Sequence, residues 1–190
     1  MAEFKLPYYK GHINYQIPDE LINAVLVSKT ENYVVTKSES EIVKDALQNP
    51  ISSSPLCELA RDKKHIVIIS SDHTRPVPSH ITMPLLLEEI RKFNKEVKIT
   101  ILIATGMHRP TTHEELVDKY GQKIVDEETI VVHSAYEDEN MVFLGTLPSG
   151  GELWVNKLDD EADLLISEGF IEPHFFAGFS GGRKSVLPGI

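Results

Sequence analysis

Cysteine, positive charge and long apolar runs are all scarce in this sequence, and each scarcity excludes a class of protein. The single cysteine, Cys57, excludes the internal disulfide framework of small secreted domains. The formal net charge of −10 argues against a DNA or RNA partner, which usually needs a clustered basic surface. No stretch approaches the ~18 consecutive apolar residues of a membrane span, and the opening MAEFKLPYYKGH lacks the apolar run of a secretion signal. We therefore expect a soluble cytoplasmic protein with no nucleic-acid and no membrane partner.

The residues that are present suit a globular α/β chain. Hydrophobic residues make up 41% of the 190 positions, enough for the core of one ordinary domain or a small pair. The first third leans towards β-structure, because HINYQI alternates and AVLV is apolar, and both predict short strands. SESEIVKDALQNP predicts a helix that ends at Pro50.

From Lys64 onward the pattern becomes a succession of strands, loops and helices. β-Branched apolar runs predict strands at His65–Ser70, Lys98–Ala104, Thr129–Ser134 and Ala162–Phe170. Helices are predicted at Met83–Phe93 and from Thr112, whose spacing to Glu115 is that of a capping box, to Gly121. VFLGT and ELWVN flank the turn residues LPSGG and predict a hairpin. The fold class is therefore α/β: a mostly parallel, Rossmann-like sheet with flanking helices, a small β-rich N-terminal region and a hairpin.

Polar clusters follow three of these predicted strands directly. SDHTRP, TGMHRPTTHEE and EGFIEPHFFAGFSGGRK carry Asp72, Arg75, His108 and His174. Ligands of open α/β sheets bind beyond the C-terminal ends of the strands. We therefore expect these loops to converge on one edge of the sheet. His108 and His174 are the best acid–base candidates among the eight histidines, because each occupies a turn stiffened by a neighbouring Gly106 or Pro173.

Two of these features have more than one interpretation. The segment Gly178–Ser185 is close to the phosphate-binding pattern G-x-x-x-x-G-K-S, but Arg183 replaces the second glycine. It is either a nucleotide-binding loop or a glycine-rich turn that presents Lys184 for other chemistry. Arg75 either closes a local contact with Asp72 or grips a carboxylate or phosphate in bidentate fashion, and the two roles can coexist.

SSDHTRPVPS, TGMHRPTTHEE and EPHFFAGFSGGRKSVLPGI, in this order, resemble the lactate racemase family, whose members carry a nickel-pincer nucleotide. The resemblance covers the whole chain as the N-terminal half of such an enzyme. It implies that residues 1–190 are the N-terminal catalytic domain of a larger two-domain protein whose C-terminal domain is absent. It also implies that the isolated domain is inactive.

The resemblance assigns roles where residues match. Lys184 matches the lysine that holds the pincer nucleotide covalently. His108 and His174 match the acid–base pair, and Asp72, Thr74 and Arg75 match the loop that contacts cofactor and substrate. No residue here receives a metal-ligand role, because the family's histidine nickel ligand lies downstream of the lysine and is expected beyond Ile190. The implied partners are a 2-hydroxy acid and the proteins that synthesise the cofactor.

The implied reaction explains a pair of histidines. The α-hydrogen of a 2-hydroxy acid is too weakly acidic to leave easily as a proton, but as a hydride it can move to the pyridinium cofactor and back to the opposite face. Each enantiomer places its hydroxyl on a different side, so each side needs a base. Two alternatives to this racemase remain open: a P-loop-like nucleotide-binding module that uses Gly178–Ser185, and a related scaffold that binds a ligand without receiving the cofactor.

Overall fold

The computed structural model describes residues 1–175 and 177–190 and divides the chain into two compact units, Met1–Thr36 and Lys37–Ile190. The first unit is an antiparallel hairpin of strands β1 (Ala2–Tyr8) and β2 (Gly11–Ile17), followed by two short 3-10 turns. The strand predicted from HINYQI is thus confirmed. The strand predicted from AVLV is wrong, because that segment pairs with no strand in the described part of the chain.

The second unit contains the parallel sheet, its helices and two smaller hairpins. Its strands are β3 (His65–Ser71), β4 (Lys98–Ala104), β5 (Thr129–Val132), β6 (Met141–Thr146), β7 (Glu152–Asn156), β8 (Leu164–Glu168), β9 (Pro173–His174) and β10 (Gly178–Phe179). Its helices are α1 (Glu39–Gln48), α2 (Leu56–Ala60), α3 (Ser79–Arg91), α4 (His113–Tyr120), α5 (Gln122–Glu127) and α6 (Lys157–Glu161). Strands β6 and β7 form the hairpin that the sequence predicts around LPSGG.

The central sheet has the strand order β5-β4-β3-β8, and all its pairings are parallel. Side chains alternate between its two faces, so Ile66 and Ile68 of β3 join a core that helices α2 to α5 cover. Val67 and Ile69 point to the other face, where residues of α6 and Ile190 pack. Because both faces are buried, the strands are continuous apolar runs, as the sequence pattern predicts. The prediction of a parallel sheet with flanking helices is confirmed.

Helix boundaries show where local signals suffice and where they do not. The capping boxes Ser38/Glu41 and Thr112/Glu115 are both formed, and α1 and α4 begin directly after them. Helix α3 begins at Ser79, four residues before the predicted Met83, and contains Pro84. Proline lacks an N–H and is best tolerated in a first helical turn, but here Pro84 lies inside the helix, beyond the turn that Ser79 begins. Among the described residues, no helix is both long and apolar enough to cross a bilayer.

The strand order creates a crevice at one edge of the sheet. From β3 the chain moves outward through β4 to β5, and it later returns to place β8 on the other side of β3. The strands that follow β3 along the chain therefore lie on one side of it and β8 lies on the other, and ligands of open α/β sheets bind at such a switch point. The polar loops that the sequence places after β3, β4 and β8 all begin at this edge.

Candidate functional site

A cleft of about 270 Å³ lies at this switch point. The loops after β3 and β4 contribute Asp72, Arg75 and His108 to its lining, and the 3-10 turn Gly182–Ser185 contributes Lys184. The predicted convergence of strand-end loops therefore holds for these residues. His174 is not among the residues that line this cleft.

Asp72 is the buried centre of the cleft. Its side chain is only 2% exposed, and its Oδ1 accepts hydrogen bonds from the Thr74 amide at 3.0 Å and the Thr74 hydroxyl at 2.6 Å. Its Oδ2 accepts from Nδ1 of His108 at 2.5 Å. Burial opposes ionisation, but the hydrogen bonds from the Thr74 hydroxyl, from His108 and from the Thr74 amide outweigh it. The pKa of Asp72 therefore lies below its ordinary value, and the group is a carboxylate.

His108 takes its tautomer from this contact. A carboxylate can only accept hydrogen bonds, so Nδ1 of His108 must carry a proton. In the neutral ring the lone pair then lies on Nε2, and the side chain is 48% exposed, which lets this nitrogen meet a ligand. The backbone turn is fixed as well, since the His108 amide donates to the Thr105 carbonyl at 2.9 Å. Asp72, Thr74 and His108, called here the Asp72 half-site, form the geometry of an oriented general base.

His174 lies in the small hairpin of β9 and β10, called here the His174 hairpin. The Ala177 amide donates to Nδ1 of His174 at 3.3 Å, and the imidazole stacks on the Phe175 ring with centroids 5.1 Å apart. Because Nδ1 accepts, the proton of the neutral ring belongs to Nε2. The two neutral rings thus have opposite tautomers: Nε2 of His108 carries the lone pair, whereas Nε2 of His174 carries the proton.

The loop with Lys184 is not a phosphate-binding P-loop. The segment after the glycines is a four-residue 3-10 turn, Gly182–Ser185, and no α-helix follows it in the described residues. A P-loop needs a helix N-terminus at that position to bind phosphate. Gly181 has φ +72°, and a Cβ there would approach the Phe170 carbonyl oxygen to 2.7 Å, so Gly181 serves close backbone packing. That packing positions Lys184 against the cleft.

Arg75 stands at the mouth of the cleft without an acidic partner. Its Nη1 lies 3.5 Å from the Thr74 hydroxyl, and no carboxylate of the described residues forms an ion pair with it. The side-chain contact between Arg75 and Asp72, one of the two interpretations of this loop, is absent, because Asp72 uses both of its carboxylate oxygens for Thr74 and His108. The turn itself forms, since the Arg75 amide donates to the Asp72 carbonyl at 3.3 Å. The guanidinium is thus available for a ligand anion.

The sequence interpretation missed a buried polar network directly beneath the cleft. Glu168, the last residue of β8, accepts hydrogen bonds from the hydroxyls of Ser70 and Thr82, each at 2.5 Å, and Tyr120 donates to Ser70 at 2.7 Å. Burial is the main cause that raises the pKa of Tyr120, so it stays a neutral phenol. The network links β3, β8, α3 and α4, and its residue Ser70 lies two positions before Asp72 in the sequence. The sequence did contain a signal for this network, namely a glutamate inside the apolar run ADLLISEGF. A charged side chain in a strand that is buried on both faces needs hydrogen-bond partners.

The structure offers no ready-made metal centre. Among the residues that it describes, no group of three or more histidine, cysteine, aspartate or glutamate side chains is arranged to hold a metal ion. A metal here would need donor atoms from a bound ligand or from further chain.

The family profile described as the lactate racemase N-terminal domain matches residues 8–190. Two curated relatives, the lactate racemases of Thermoanaerobacterium thermosaccharolyticum and Lactiplantibacillus plantarum, are each 60% identical to the chain over 190 residues. These alignments cover 100% of this chain and 45% of each relative, so the chain spans less than half the length of the curated relatives it matches.

Two solved structures are similar to the fold. The lactate racemase apoprotein from Thermoanaerobacterium thermosaccharolyticum superposes with a TM-score of 0.91 at 58% identity, over 100% of this chain and 44% of that one. A protein from Thermotoga maritima superposes with a TM-score of 0.60 at 26% identity, over 80% of this chain and 38% of that one.

Proposed function

Because this chain belongs to the lactate racemase N-terminal domain family, we propose that it is the catalytic part of an enzyme that racemises or epimerises a 2-hydroxy acid. Lactate is the default substrate, since both curated relatives are lactate racemases. The observation that carries the proposal is the Asp72–His108 pair, which faces the same cleft as Lys184. An oriented base beside a reactive amine suits acid–base chemistry on a ligand tethered in that cleft.

The cofactor that we propose is a nickel-pincer nucleotide attached through Lys184. The residues fit its organic part, because the Lys184 side chain lines the cleft and forms no ion pair with a described carboxylate. They do not by themselves hold nickel, since the described side chains include no metal-binding cluster, so the donor atoms would come mainly from the cofactor. When bound, this group supplies an acceptor for the hydrogen that leaves the substrate α-carbon with its electron pair.

The histidines manage the proton of the substrate hydroxyl. Nε2 of His108 accepts that proton as the hydroxyl becomes a carbonyl, and Asp72 stabilises the imidazolium that results. We propose that His174 performs the same task for the other enantiomer, whose hydroxyl points to the opposite side. To return a proton to the carbonyl oxygen, His174 must be the imidazolium, whose Nδ1–H would replace the contact with the Ala177 amide.

Arg75 is the proposed anchor of the substrate carboxylate. Its guanidinium lines the cleft, lacks an acidic partner in the described residues and can donate two parallel hydrogen bonds to a carboxylate. Held at that point, a planar keto acid can turn and present its other face while its carboxylate stays bound. Asp72 and Thr74 keep the loop of Arg75 in place through their mutual hydrogen bonds.

Intact mass spectrometry tests the attachment directly. The full-length protein would be produced in cells that synthesise the pincer nucleotide, beside the variants Lys184→Ala and Lys157→Ala. Lys157 lies at the start of α6 and is exposed, so it serves as the matched lysine control. We expect a mass adduct with bound nickel in the wild type and in Lys157→Ala, and its complete loss in Lys184→Ala.

Two outcomes would contradict the proposal. An unmodified wild-type protein from cofactor-producing cells would remove the covalent chemistry. An adduct that persists in Lys184→Ala would move the attachment to another residue.

A further inference from the structure

Glu168 is a buried carboxylate that the proposed chemistry does not use. It ends β8 and is only 5% exposed. Its Oε2 accepts a hydrogen bond from the Ser70 hydroxyl and its Oε1 accepts one from the Thr82 hydroxyl, each at 2.5 Å. Ser70 belongs to the end of β3, and Thr82 belongs to the first turn of α3. One carboxylate therefore binds the chain on both sides of the loop that joins β3 to α3, residues 72–78.

That loop carries three of the side chains assigned to the reaction, namely Asp72, Thr74 and Arg75. The Thr74 amide donates to Oδ1 of Asp72, and the Arg75 amide donates to the Asp72 carbonyl. These contacts lie within the loop, so they determine its shape rather than its position on the sheet. The position depends on the two ends of the loop, and the Glu168 carboxylate joins both ends to β8.

The directions of these hydrogen bonds follow from the groups involved. A carboxylate can only accept, so the hydroxyls of Ser70 and Thr82 both donate to Glu168. Ser70 has then used its single proton, so it accepts from the Tyr120 hydroxyl at 2.7 Å. Tyr120 is the last residue of α4, the helix that follows the loop of His108. The same carboxylate is therefore linked, through Ser70, to the chain on the far side of the His108 loop.

The end of β8 also contacts the loop that carries Lys184. Ser167, the neighbour of Glu168, donates its hydroxyl to the Gly182 carbonyl at 3.2 Å. Successive side chains of a strand point to opposite faces, so Ser167 and Glu168 reach two different loops from one short piece of strand. Gly182 begins the 3-10 turn that carries Lys184, and Lys184 lines the same cleft as Asp72. The end of β8 is thus a common reference for the proposed acid–base group and the proposed cofactor lysine.

We propose that Glu168 is a positioning residue of the racemase: its carboxylate holds the loop of residues 72–78 in register with Lys184 across the cleft. When this carboxylate is removed, the loop keeps its internal hydrogen bonds but loses its attachment to β8. Asp72 and Arg75 then shift together relative to Lys184. A displacement of about 1 Å between reacting groups is enough to cost a large factor in rate. Glu168 therefore acts on the reaction through the loop and touches neither substrate nor cofactor.

Alanine and glutamine at position 168 separate this role from a loss of charge. Glu168→Ala leaves the Ser70 proton without its acceptor, whereas Thr82 can turn its hydroxyl to the Pro78 carbonyl, 3.4 Å away. In Glu168→Gln the amide oxygen can accept from Ser70, and the amide NH2 can donate to Thr82 once that hydroxyl has turned to Pro78. Alanine thus removes both attachments, and glutamine keeps both without the charge.

The inference rests on the proposed function for its kinetic test. Racemisation by the loaded full-length enzyme, corrected for cofactor content, would be compared in wild type, Glu168→Ala, Glu168→Gln and Arg91→Met. Arg91 pairs with Glu128 at 2.6 and 2.8 Å, and Glu128 directly precedes β5, so this control removes a partly buried ion pair at the edge of the sheet opposite the cleft. We expect Glu168→Ala to lower kcat/KM by about 10–10²-fold. Glu168→Gln should retain most of the wild-type value, and Arg91→Met should retain all of it.

A second measurement needs neither cofactor nor activity. Amide hydrogen exchange in the cofactor-free full-length protein reports local opening, and it can be read separately for the loop and for the sheet. The Thr74 amide, which is bonded to Asp72, reports the loop, and the amides of the central strand β4 report the sheet. In Glu168→Ala we expect exchange at Thr74 to accelerate about tenfold more than exchange in β4. Glu168→Gln and Arg91→Met should show no such difference.

Equal acceleration of Thr74 and β4 in Glu168→Ala would overturn the inference, because Glu168 would then stabilise the fold without positioning the loop. A folded Glu168→Ala enzyme with the kcat/KM of the wild type would overturn it as well. If Glu168→Ala does not fold, Thr82→Val takes its place, since valine has nearly the shape of threonine and removes only the attachment at α3. Thr74 must then still exchange faster relative to β4. Failure of the wild-type enzyme to racemise any 2-hydroxy acid would instead overturn the proposed function, while hydrogen exchange would still decide the role of Glu168.

Discussion

The Asp72 half-site and the His174 hairpin hold their histidines in different ways. His108 is fixed by a buried carboxylate at the end of a central strand, and that carboxylate is itself held by three hydrogen bonds. His174 belongs to a hairpin with two residues in each strand, where a backbone amide contacts its ring at 3.3 Å. The neighbouring side chains Phe175 and Phe179 are 94% and 63% exposed.

This difference follows from the position of each histidine relative to the sheet. A residue that directly follows a parallel strand inherits the register of the core, so its neighbours are set by the whole fold. A residue several positions beyond the strand depends on local structure, here the short pairing of β9 with β10, in which His174 lies opposite Gly178. In the Asp72 half-site, side-chain chemistry is therefore determined by packing. In the His174 hairpin, it is determined by backbone contacts.

The largest expected effect comes from removing the carboxylate charge of the Asp72 half-site. Asp72→Asn preserves the shape of the side chain but removes its charge, so it no longer stabilises an imidazolium at His108. We expect kcat/KM for lactate racemisation by the loaded full-length enzyme to fall roughly 10²–10⁴-fold, the contribution of a positioned acid–base group. Initial rates in both directions, measured by chiral separation of lactate, check this.

Asp62→Asn is the matched control, because Asp62 precedes β3 whereas Asp72 follows it, and Asp62 is exposed. Its rates should equal those of the wild type. An Asp72→Asn enzyme within threefold of the wild type would show that catalysis does not depend on the charge of this carboxylate.

The second effect concerns the network that supports the same half-site. Glu168→Ala leaves the hydroxyls of Ser70 and Thr82 without their common acceptor. We expect the free energy of unfolding to drop by about 1–3 kcal/mol, the usual cost of an unsatisfied buried polar group. Urea unfolding followed by circular dichroism measures it. Glu88→Ala, an exposed glutamate of α3, should change the value by less than about 0.5 kcal/mol. Equal losses in the two variants would mean that the network does not stabilise the sheet edge.

Much of the fold and part of the site follow from local sequence signals. The apolar runs of β3 and β4 and the capping box at Thr112 and Glu115 specify their elements locally, and all were predicted. The proximity of Asp72 and His108 was also predicted from the sequence, because polar loops that follow parallel strands share one edge of the sheet. These predictions succeed because hydrophobic periodicity, helix capping and strand direction are each determined by a few neighbouring residues.

Contacts between distant residues could not be predicted in the same way. A contact between Asp72 and Arg75, three residues away, was one of two interpretations of this loop, but Asp72 pairs with His108, 36 residues along the chain. Glu168 meets Ser70 across 98 residues. Such pairs depend on the order β4-β3-β8 and on the packing of α3 and α4, which no local pattern specifies. The absence of His174 from the residues that line the cleft has the same origin, since His174 lies in β9, beyond the connection that follows β8.

The smallest expected effect is the pH dependence that Asp72 alone adds to stability. Its pKa in the folded chain lies below the ordinary value of about 3.9, because hydrogen bonds from Thr74 and His108 outweigh the effect of burial. Its ionised form therefore contributes stability above that pH, and the contribution is lost as the pH falls through the folded value. The difference in unfolding free energy between wild type and Asp72→Asn, measured by urea titration from pH 6 to pH 2, should stay level above roughly pH 5 and shrink below it. Other carboxyls with lowered pKa values, such as Glu115 and Asp163, are present in both proteins and cancel in the difference. A difference that stays constant down to pH 2 would show that Asp72 titrates as it does in the unfolded chain. The contrast between the Asp72 half-site and the His174 hairpin would then not depend on the charge of Asp72.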